Sequence, residues 1–156
     1  MLEVTGDLWS YQGDGKWIVI TTNGVVNAQG KAVMGRGVAR EAAMKYSFLP
    51  KLLGERIQQH GNHVFAFGVY RIITLPVKHR WSEPADPSLI RRSLQELVVV
   101  ARAIDARPVY LVRPGCGNGQ LSWDKIKLMV KIELDGNDFV VVERSKDDEI
   151  EQETMA

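Results

Sequence analysis

Hydrophobic residues fall into short runs that predict β-strands. The run KWIVITTN (residues 16–23) is β-branched and almost continuously apolar, which is typical of a central strand buried on both faces. Two shorter runs, PVYLV (108–112) and FVVVE (139–143), also predict buried strands, and LEVTG (2–6) predicts a short strand at the start of the chain. HVFAFG and YRIITLPV, which flank a turn, predict a hairpin.

Between these runs, the spacing of apolar residues predicts helices. VAREAAMKY (38–46) is rich in helix formers, and Pro50 suits the first turn of a helix that ends near Gly61. A long helix is predicted to begin at Pro87, with Ile90, Leu94, Leu97, Val98, Ala101 and Ile104 on one apolar face. The segment 122–134 predicts a last helix, with Ile126, Met129, Val130 and Leu134 inward. YQGDG (11–15) is expected to be a plain loop.

The alternation of strands and helices predicts an α/β fold, a three-layer α/β/α sandwich with a central mixed sheet. No repeat, linker or low-complexity block divides the chain, so residues 1–143 are expected to form a single domain. Residues 144–156 are charged and have little to bury, and we expect them to be disordered or a frayed helix.

Composition limits the class of protein. The chain has 156 residues, of which 45% are hydrophobic and 25% charged, as in one globular domain with a core. The formal net charge of +1 does not suggest a broad electrostatic DNA-binding surface. The N-terminal residues do not resemble a secretory signal, and one cysteine cannot form an internal disulfide, so we expect a cytoplasmic protein. Neither a metal nor a cofactor is expected.

Two glycine-rich segments follow predicted strands and precede predicted helices. They are NAQGKAVMGRGVA (27–39) and RPGCGNGQLSW (113–123). Ligands of α/β sheets bind beyond the carboxyl ends of the strands, where helix N-termini favour anions. If the two strands are neighbours, both segments face one cleft and their amides can hold a pyrophosphate. Neither segment matches the known P-loop or dinucleotide-binding patterns.

The combination of motifs along the chain resembles the macro domain family, which binds ADP-ribose. The resemblance spans residues 2–143 and rests on GDLW, VITTNGVVN, VMGRGVAREA, LPVKHRW and RPGCGNGQLSW, in that order. Within the family the chain is most similar to the ADP-ribosyl glycohydrolase branch that includes the DNA-directed antitoxin. It is also similar to the human hydrolase that removes ADP-ribose from acidic side chains.

The resemblance implies roles for individual residues. Lys78 and Asn27 are the catalytic residues that it implies, both acting at the distal ribose. Asp7 is implied to accept a hydrogen bond from the adenine amino group, and Leu8 to offer a backbone amide. The remaining implied ligand-binding residues are Asn23 near the distal ribose, Gly35, Arg36, Gly37 and Val38 in the first phosphate loop, and Gly115, Cys116, Gly117, Asn118 and Gly119 in the second.

One position departs from the protein-directed hydrolase, which has an aspartate two residues after its GCG triplet. Gly119 stands there in this chain, which favours a lysine-centred reaction or binding without hydrolysis. The resemblance implies hydrolysis of an ADP-ribosyl linkage on DNA, RNA or protein. We expect no membrane association, because no apolar run is long enough to span a membrane, and nothing in the sequence indicates an obligate protein partner. The alternatives are a non-enzymatic reader or scavenger of ADP-ribose, and an ADP-ribose 1″-phosphate phosphatase. Lys78 as a surface residue that binds only solvent or phosphate also remains open.

Overall fold

The computed structural model describes residues 1–144. The predicted disorder of the charged tail therefore concerns residues that lie outside the described part of the chain. Arg144, which the sequence assigns to that tail, is instead the last residue of a strand.

The described residues form six strands and five helices, which alternate along the chain except for the consecutive pairs α2–α3 and β3–β4. The elements are β1 (Leu2–Gly6), α1 (Leu8–Gly13), β2 (Trp17–Thr22), α2 (Gly37–Lys45), α3 (Leu49–His60), β3 (Phe65–Phe67), β4 (Ile72–Pro76), α4 (Pro87–Ala103), β5 (Val109–Val112), α5 (Trp123–Glu133) and β6 (Phe139–Arg144). No helix among residues 1–144 is long and apolar enough to cross a membrane.

A single mixed sheet joins the strands in the order β1-β6-β5-β2-β4-β3. All neighbours are parallel except the β3–β4 hairpin. Each face of the sheet carries its own hydrophobic core. Val19 of β2 packs in the core beneath α4 and α5, whereas Ile18 and Ile20 pack in the core beneath α1, α2 and α3. This period-two alternation, with helices on both faces, confirms the predicted α/β fold.

The short helix α1 corrects the prediction of a plain loop after β1. Asp7 caps it, with a side chain that accepts a hydrogen bond from the Trp9 amide at 3.0 Å. Leu8, its first residue, is fully buried in the core. At the end of α4, Ile104 was predicted to face inward, but 37% of it is exposed because the helix ends at Ala103.

The topology brings the two glycine-rich segments to one edge of the sheet. β2 and β5 are adjacent and parallel, so the segments that follow them leave from the same side. β4 is the other neighbour of β2, and the segment that follows it carries Lys78 to the same edge.

Candidate functional site

A cleft of about 570 Å³ opens at the carboxyl ends of β4, β2, β5 and β6. Residues 35–38 and 115–119 both line it, together with Asn23 and Lys78. The structure thus brings together the two predicted phosphate loops and the predicted catalytic lysine. We call residues 35–38 the first loop and residues 115–119 the second loop.

The first loop runs directly into the N-terminus of α2. Arg36 is the N-cap residue, and its side chain makes no capping hydrogen bond. The first amides of a helix have no acceptor within the helix, so those of α2 remain available beside the cleft. Helix N-termini of this kind favour bound anions through both the amide donors and the helix dipole.

The two loops touch across the cleft. A β-carbon added at Gly37 would lie 2.7 Å from Nδ2 of Asn118, closer than a side chain allows. The Lys78 amine donates a hydrogen bond to the backbone carbonyl of Asn118 at 2.9 Å. The second loop is therefore held between the first loop on one side and Lys78 on the other.

The glycines of the loops answer two different physical demands. Gly115 has a φ of +75°, and a β-carbon there would meet Ile90 Cδ1 at 2.8 Å. At Gly119 a β-carbon would lie 2.4 Å from the carbonyl oxygen of Gly115. Gly35 and Gly117 differ, since neither has a φ in the left-handed range and an added β-carbon would have no neighbour within 4 Å. Neither the protein's packing nor its backbone conformation requires glycine at those two positions.

Lys78 is unusually buried for a lysine. Only 8% of it is exposed, and its amine also donates a longer hydrogen bond to the Trp81 carbonyl at 3.4 Å. Burial lowers the pKa of the Lys78 amine, and the positive charge of Arg36 lowers it further. The neutral amine, which has a nucleophilic lone pair, is therefore populated at lower pH than in a solvated lysine.

The cleft carries an excess of positive charge. Arg113 pairs with Glu143 at 3.3 Å, and Arg144 pairs with Glu41 at 2.7 Å. Within the described residues, Arg36 and Lys78 form no ion pair with a carboxylate. These two unpaired positive charges, together with the dipole of α2, would attract a dianionic ligand.

Two tryptophans stand among the residues that line the cleft, each under an arginine. The Arg36 guanidinium lies 5.7 Å from the Trp81 ring, and that of Arg113 lies 5.1 Å from the Trp123 ring. Trp81 follows Lys78 by three residues and is 47% exposed. It offers an aromatic surface next to the lysine.

Asn27, Asp7 and Leu8 do not line the cleft. The Oδ1 atom of Asn27 accepts hydrogen bonds from the amides of Gln29 and Lys31, both at 3.0 Å, so the side chain closes a turn. Asp7 and Leu8 follow β1, which lies one strand beyond β6, the last strand whose residues line the cleft. Of the predicted catalytic pair, Lys78 lines the cleft and Asn27 does not.

Asn23 does line the cleft, but its side chain is engaged by the protein. Its Nδ2 donates to the Val33 carbonyl and its Oδ1 accepts from the Val25 amide, each at 2.9 Å. The bond to Val33 holds the middle of the first glycine-rich segment beside Asn23, the residue that follows β2. Asn23 thus shapes the cleft through the backbone that it anchors.

Cys116 is the one thiol of the chain and lies half-buried in the second loop. Burial raises its pKa to about 11, although the charge of Arg113 opposes this shift. A thiol with such a pKa remains protonated near neutral pH and is a poor nucleophile. Cys116 is therefore suited to binding through its backbone and not to covalent chemistry. Among residues 1–144, no three His, Cys, Asp or Glu side chains gather as a metal site.

Sequence reasoning missed the arginines at the far end of the cleft, Arg113 and Arg144. Both stand at the carboxyl ends of strands on the edge that carries the glycine loops. That position is the signal by which they could have been found.

Comparison with known proteins identifies the fold. Neither a family model nor a curated protein matches the chain by sequence. The macrodomain of Thermus aquaticus DarG superposes with a TM-score of 0.75 at 24% identity, covering 90% of this chain and 95% of that one. The macrodomain of Mycobacterium tuberculosis DarG gives 0.73 at 25% identity, with 92% and 97% covered. Thermosipho africanus DarTG in complex with ADP-ribose gives 0.73 at 14% identity, and 93% of this chain matches 41% of that longer one. The chain is therefore a macrodomain by fold, with the macrodomains of DarG proteins among its structural neighbours.

Proposed function

We propose that the chain binds ADP-ribose in the cleft and hydrolyses an ADP-ribosyl linkage, with Lys78 as the catalytic residue. The observation that carries the proposal is the meeting of the two loops across the cleft, with the buried Lys78 amine bound to the second loop at 2.9 Å. The structural neighbour from Thermosipho africanus, described as a complex with ADP-ribose, supports the choice of ligand.

The pyrophosphate is the part of the ligand that the loops fit best. Amides of the first loop and of the start of α2 donate from one side, and those of the second loop donate from the other. The open space at Gly35 and Gly117 allows phosphate oxygens to approach the main chain without meeting a side chain. Arg36 and Lys78 supply positive charge that no described carboxylate neutralises.

Lys78 can attack the anomeric carbon of the distal ribose once its amine is neutral. The nitrogen lone pair forms a bond to that carbon, and the bond to the acceptor breaks with its electron pair. The acceptor takes up a proton as it leaves. Water then hydrolyses the resulting nitrogen–carbon adduct, which releases ADP-ribose and restores the amine. The lowered pKa of Lys78 supports this order of steps, because only the neutral amine is nucleophilic.

The acceptor side of the cleft favours a planar group. Trp81 lies three residues after Lys78, and roughly half of its surface is exposed. A nucleobase stacks on an exposed indole with a favourable free energy of about 1–3 kcal/mol. An ADP-ribosylated nucleic acid is therefore the acceptor we expect first, with an ADP-ribosylated protein side chain as the alternative.

A second candidate function is binding without turnover. Glu143 is the one carboxylate among the described residues that line the cleft, and it pairs with Arg113 at the end opposite Lys78. A general acid or base beside the anomeric carbon would therefore have to be Lys78 itself or water. This favours a reader of ADP-ribose if Lys78 keeps its bond to Asn118 when the ligand is bound.

One experiment separates the candidates. The protein is incubated in parallel with ADP-ribosylated DNA, ADP-ribosylated protein and ADP-ribose 1″-phosphate, and binding of free ADP-ribose is measured by titration calorimetry. We expect release of ADP-ribose from one of the first two substrates, and loss of that release in Lys78→Ala with binding retained. Lys51→Ala, which removes an exposed lysine of α3 outside the cleft, serves as the control.

Each outcome assigns a function. If the protein binds ADP-ribose but releases nothing from any substrate, it is a non-enzymatic ADP-ribose reader. Release of phosphate from ADP-ribose 1″-phosphate identifies a phosphatase. A wild-type protein that yields no binding heat with ADP-ribose disproves the proposal altogether.

A further inference from the structure

A buried arginine at one end of the cleft has two hydrogen-bond donors that no described residue of the protein accepts from. The side chain of Arg144 lines the cleft and is only 10% exposed. Its Nη1 donates to both carboxylate oxygens of Glu41, at 2.7 and 3.1 Å. Its Nε and Nη2 atoms are buried, and neither has a hydrogen-bond partner among residues 1–144. Buried donors without partners are costly, by about 1–3 kcal/mol each, so such a group calls for an acceptor.

The position of Arg144 tells which part of a ligand it would meet. Lys78 follows β4, and Arg144 ends β6, with β2 and β5 between them. Adjacent strands lie about 4.8 Å apart, so these two side chains stand on strands separated by about 14 Å. If the distal ribose lies at Lys78, the adenosine half of ADP-ribose points toward Arg144. This step rests on the proposed function.

The contact with Glu41 also indicates how far the Arg144 guanidinium lies from the N-terminus of α2. Glu41 lies four residues after Gly37 in α2, which is a rise of about 6 Å along the helix axis. The Arg144 guanidinium is therefore about one helical turn from the amides at the start of α2. A ligand whose pyrophosphate meets those amides has its adenosine-side phosphate next to this arginine.

The free edge of the guanidinium has a definite chemistry. Nε and Nη2 lie side by side and direct two parallel N–H bonds, an arrangement that matches two oxygens of a phosphate. Of the guanidinium nitrogens, only Nη1 donates hydrogen bonds to Glu41, and this edge has no hydrogen-bond partner among residues 1–144. We propose that Arg144 binds the adenosine-side phosphate of ADP-ribose through its Nε–Nη2 edge. Because Nε and Nη2 are buried in the unliganded protein, this binding requires a change in the side-chain torsion angles of Arg144.

The test compares ligands that differ by this phosphate. Arg144→Lys keeps a positive charge to pair with Glu41 but removes the two-donor edge. Its affinities for ADP-ribose and AMP are measured by titration calorimetry, and that for adenosine by ligand-observed NMR, which reads weak binding. We expect Arg144→Lys to bind ADP-ribose and AMP about 10- to 100-fold more weakly than the wild type does. Its affinity for adenosine should equal that of the wild type.

Arg92→Lys is the matched control. Arg92 lies on α4 outside the cleft, and its buried Nε lies 3.2 Å from Glu96 Oε2 but makes no hydrogen bond within residues 1–144. We expect it to bind all three ligands like the wild type. The thermal unfolding midpoints of both variants are measured to verify folding, and Arg144→Gln replaces Arg144→Lys if the lysine variant does not fold.

The results distinguish this inference from the proposed function. If wild type binds ADP-ribose and Arg144→Lys binds it equally well, the inference is wrong while the proposed function stands. If Arg144→Lys loses affinity for adenosine and for AMP by the same factor, Arg144 contacts the nucleoside, and the assignment to the phosphate is wrong. A wild type that binds neither ADP-ribose nor AMP disproves the proposed function.

Discussion

Replacing Gly35 by alanine tests whether the open space beside this residue serves ligand binding and not folding. An alanine β-carbon at this position has no heavy atom within 4 Å, and the backbone has no left-handed φ there. The folded chain therefore accepts the methyl group. Because alanine restricts the unfolded chain more than glycine does, we expect the free energy of unfolding to rise by about 0.4–1 kcal/mol.

The same methyl group opposes the ligand. Gly35 lines the cleft in the first loop, where the proposed pyrophosphate approaches the backbone. Loss of one charge-assisted hydrogen bond from an amide to a phosphate corresponds to about 1.5–3 kcal/mol, or about 10- to 100-fold in the dissociation constant. Gly35→Ala should therefore be as stable as the wild type or more stable, and bind ADP-ribose more weakly.

Two further alanine variants complete the comparison. At Gly13, the last residue of α1, an added β-carbon also has no neighbour within 4 Å, but the residue lies outside the cleft. At Gly119 the added carbon would lie 2.4 Å from the Gly115 carbonyl oxygen, so the backbone must move, at a cost of about 1–3 kcal/mol. Thermal unfolding and titration calorimetry should show weak binding with full stability only for Gly35→Ala. Wild-type affinity in Gly35→Ala would refute the assignment of this space to the ligand.

Three other predictions concern charge. Turnover should rise with pH until Lys78 is neutral and level off below the ordinary lysine pKa of about 10.4, because burial lowers the pKa of Lys78; a rate independent of pH would exclude its amine as the nucleophile. Arg36→Met removes the second cause of that shift, so the pKa of Lys78 should rise and the ascending limb of the pH–rate profile should move to higher pH. Asp86 caps α4 through the Ser88 amide at 2.9 Å, and its hydrogen bond with His79 is the main cause that holds its pKa below the usual range. A carboxyl with a lowered pKa stabilises the fold above about pH 4 and loses this effect as pH falls through its own pKa. Asp86→Ala should therefore lower the free energy of unfolding by about 1 kcal/mol near neutral pH, with the difference shrinking in acid; denaturant unfolding at several pH values measures it.

The sheet could be predicted because its central strands are covered on both faces. Ile18, Val19 and Ile20 alternate between the two cores, so the sequence shows an unbroken apolar run, which strands buried on one face only do not. The helix α1 could not be predicted in this way. Its six residues are fewer than two turns, too few for a periodic pattern, and its stability depends on the Asp7 cap and on burial of Leu8.

The site could be predicted in part for a topological reason. Two glycine segments that each follow a buried parallel strand must leave from the same edge, and the adjacency of β2 and β5 then brings them into one cleft. Arg144 was missed because the residues after it are charged and the sequence offers no sign that it is buried. Its partner Glu41 is 103 residues away, a pairing that only the fold creates. The role of Asn27 was implied by the resemblance alone; in the structure its Oδ1 accepts hydrogen bonds from the Gln29 and Lys31 amides, and the residue does not line the cleft.

The glycine at position 119 narrows the chemistry that the cleft can perform. The protein-directed hydrolase that the sequence resembles has an aspartate at the equivalent position, two residues after the GCG triplet. In this chain a β-carbon at that position would lie within 2.7 Å of three backbone atoms of Gly115. Because backbone atoms cannot turn aside as a flexible side chain does, an aspartate here would require a different path of the second loop. The same path places the Asn118 carbonyl 2.9 Å from the Lys78 amine, so it excludes a carboxylate at position 119 and positions the lysine at once. If the chain is a hydrolase, its reaction is therefore centred on Lys78.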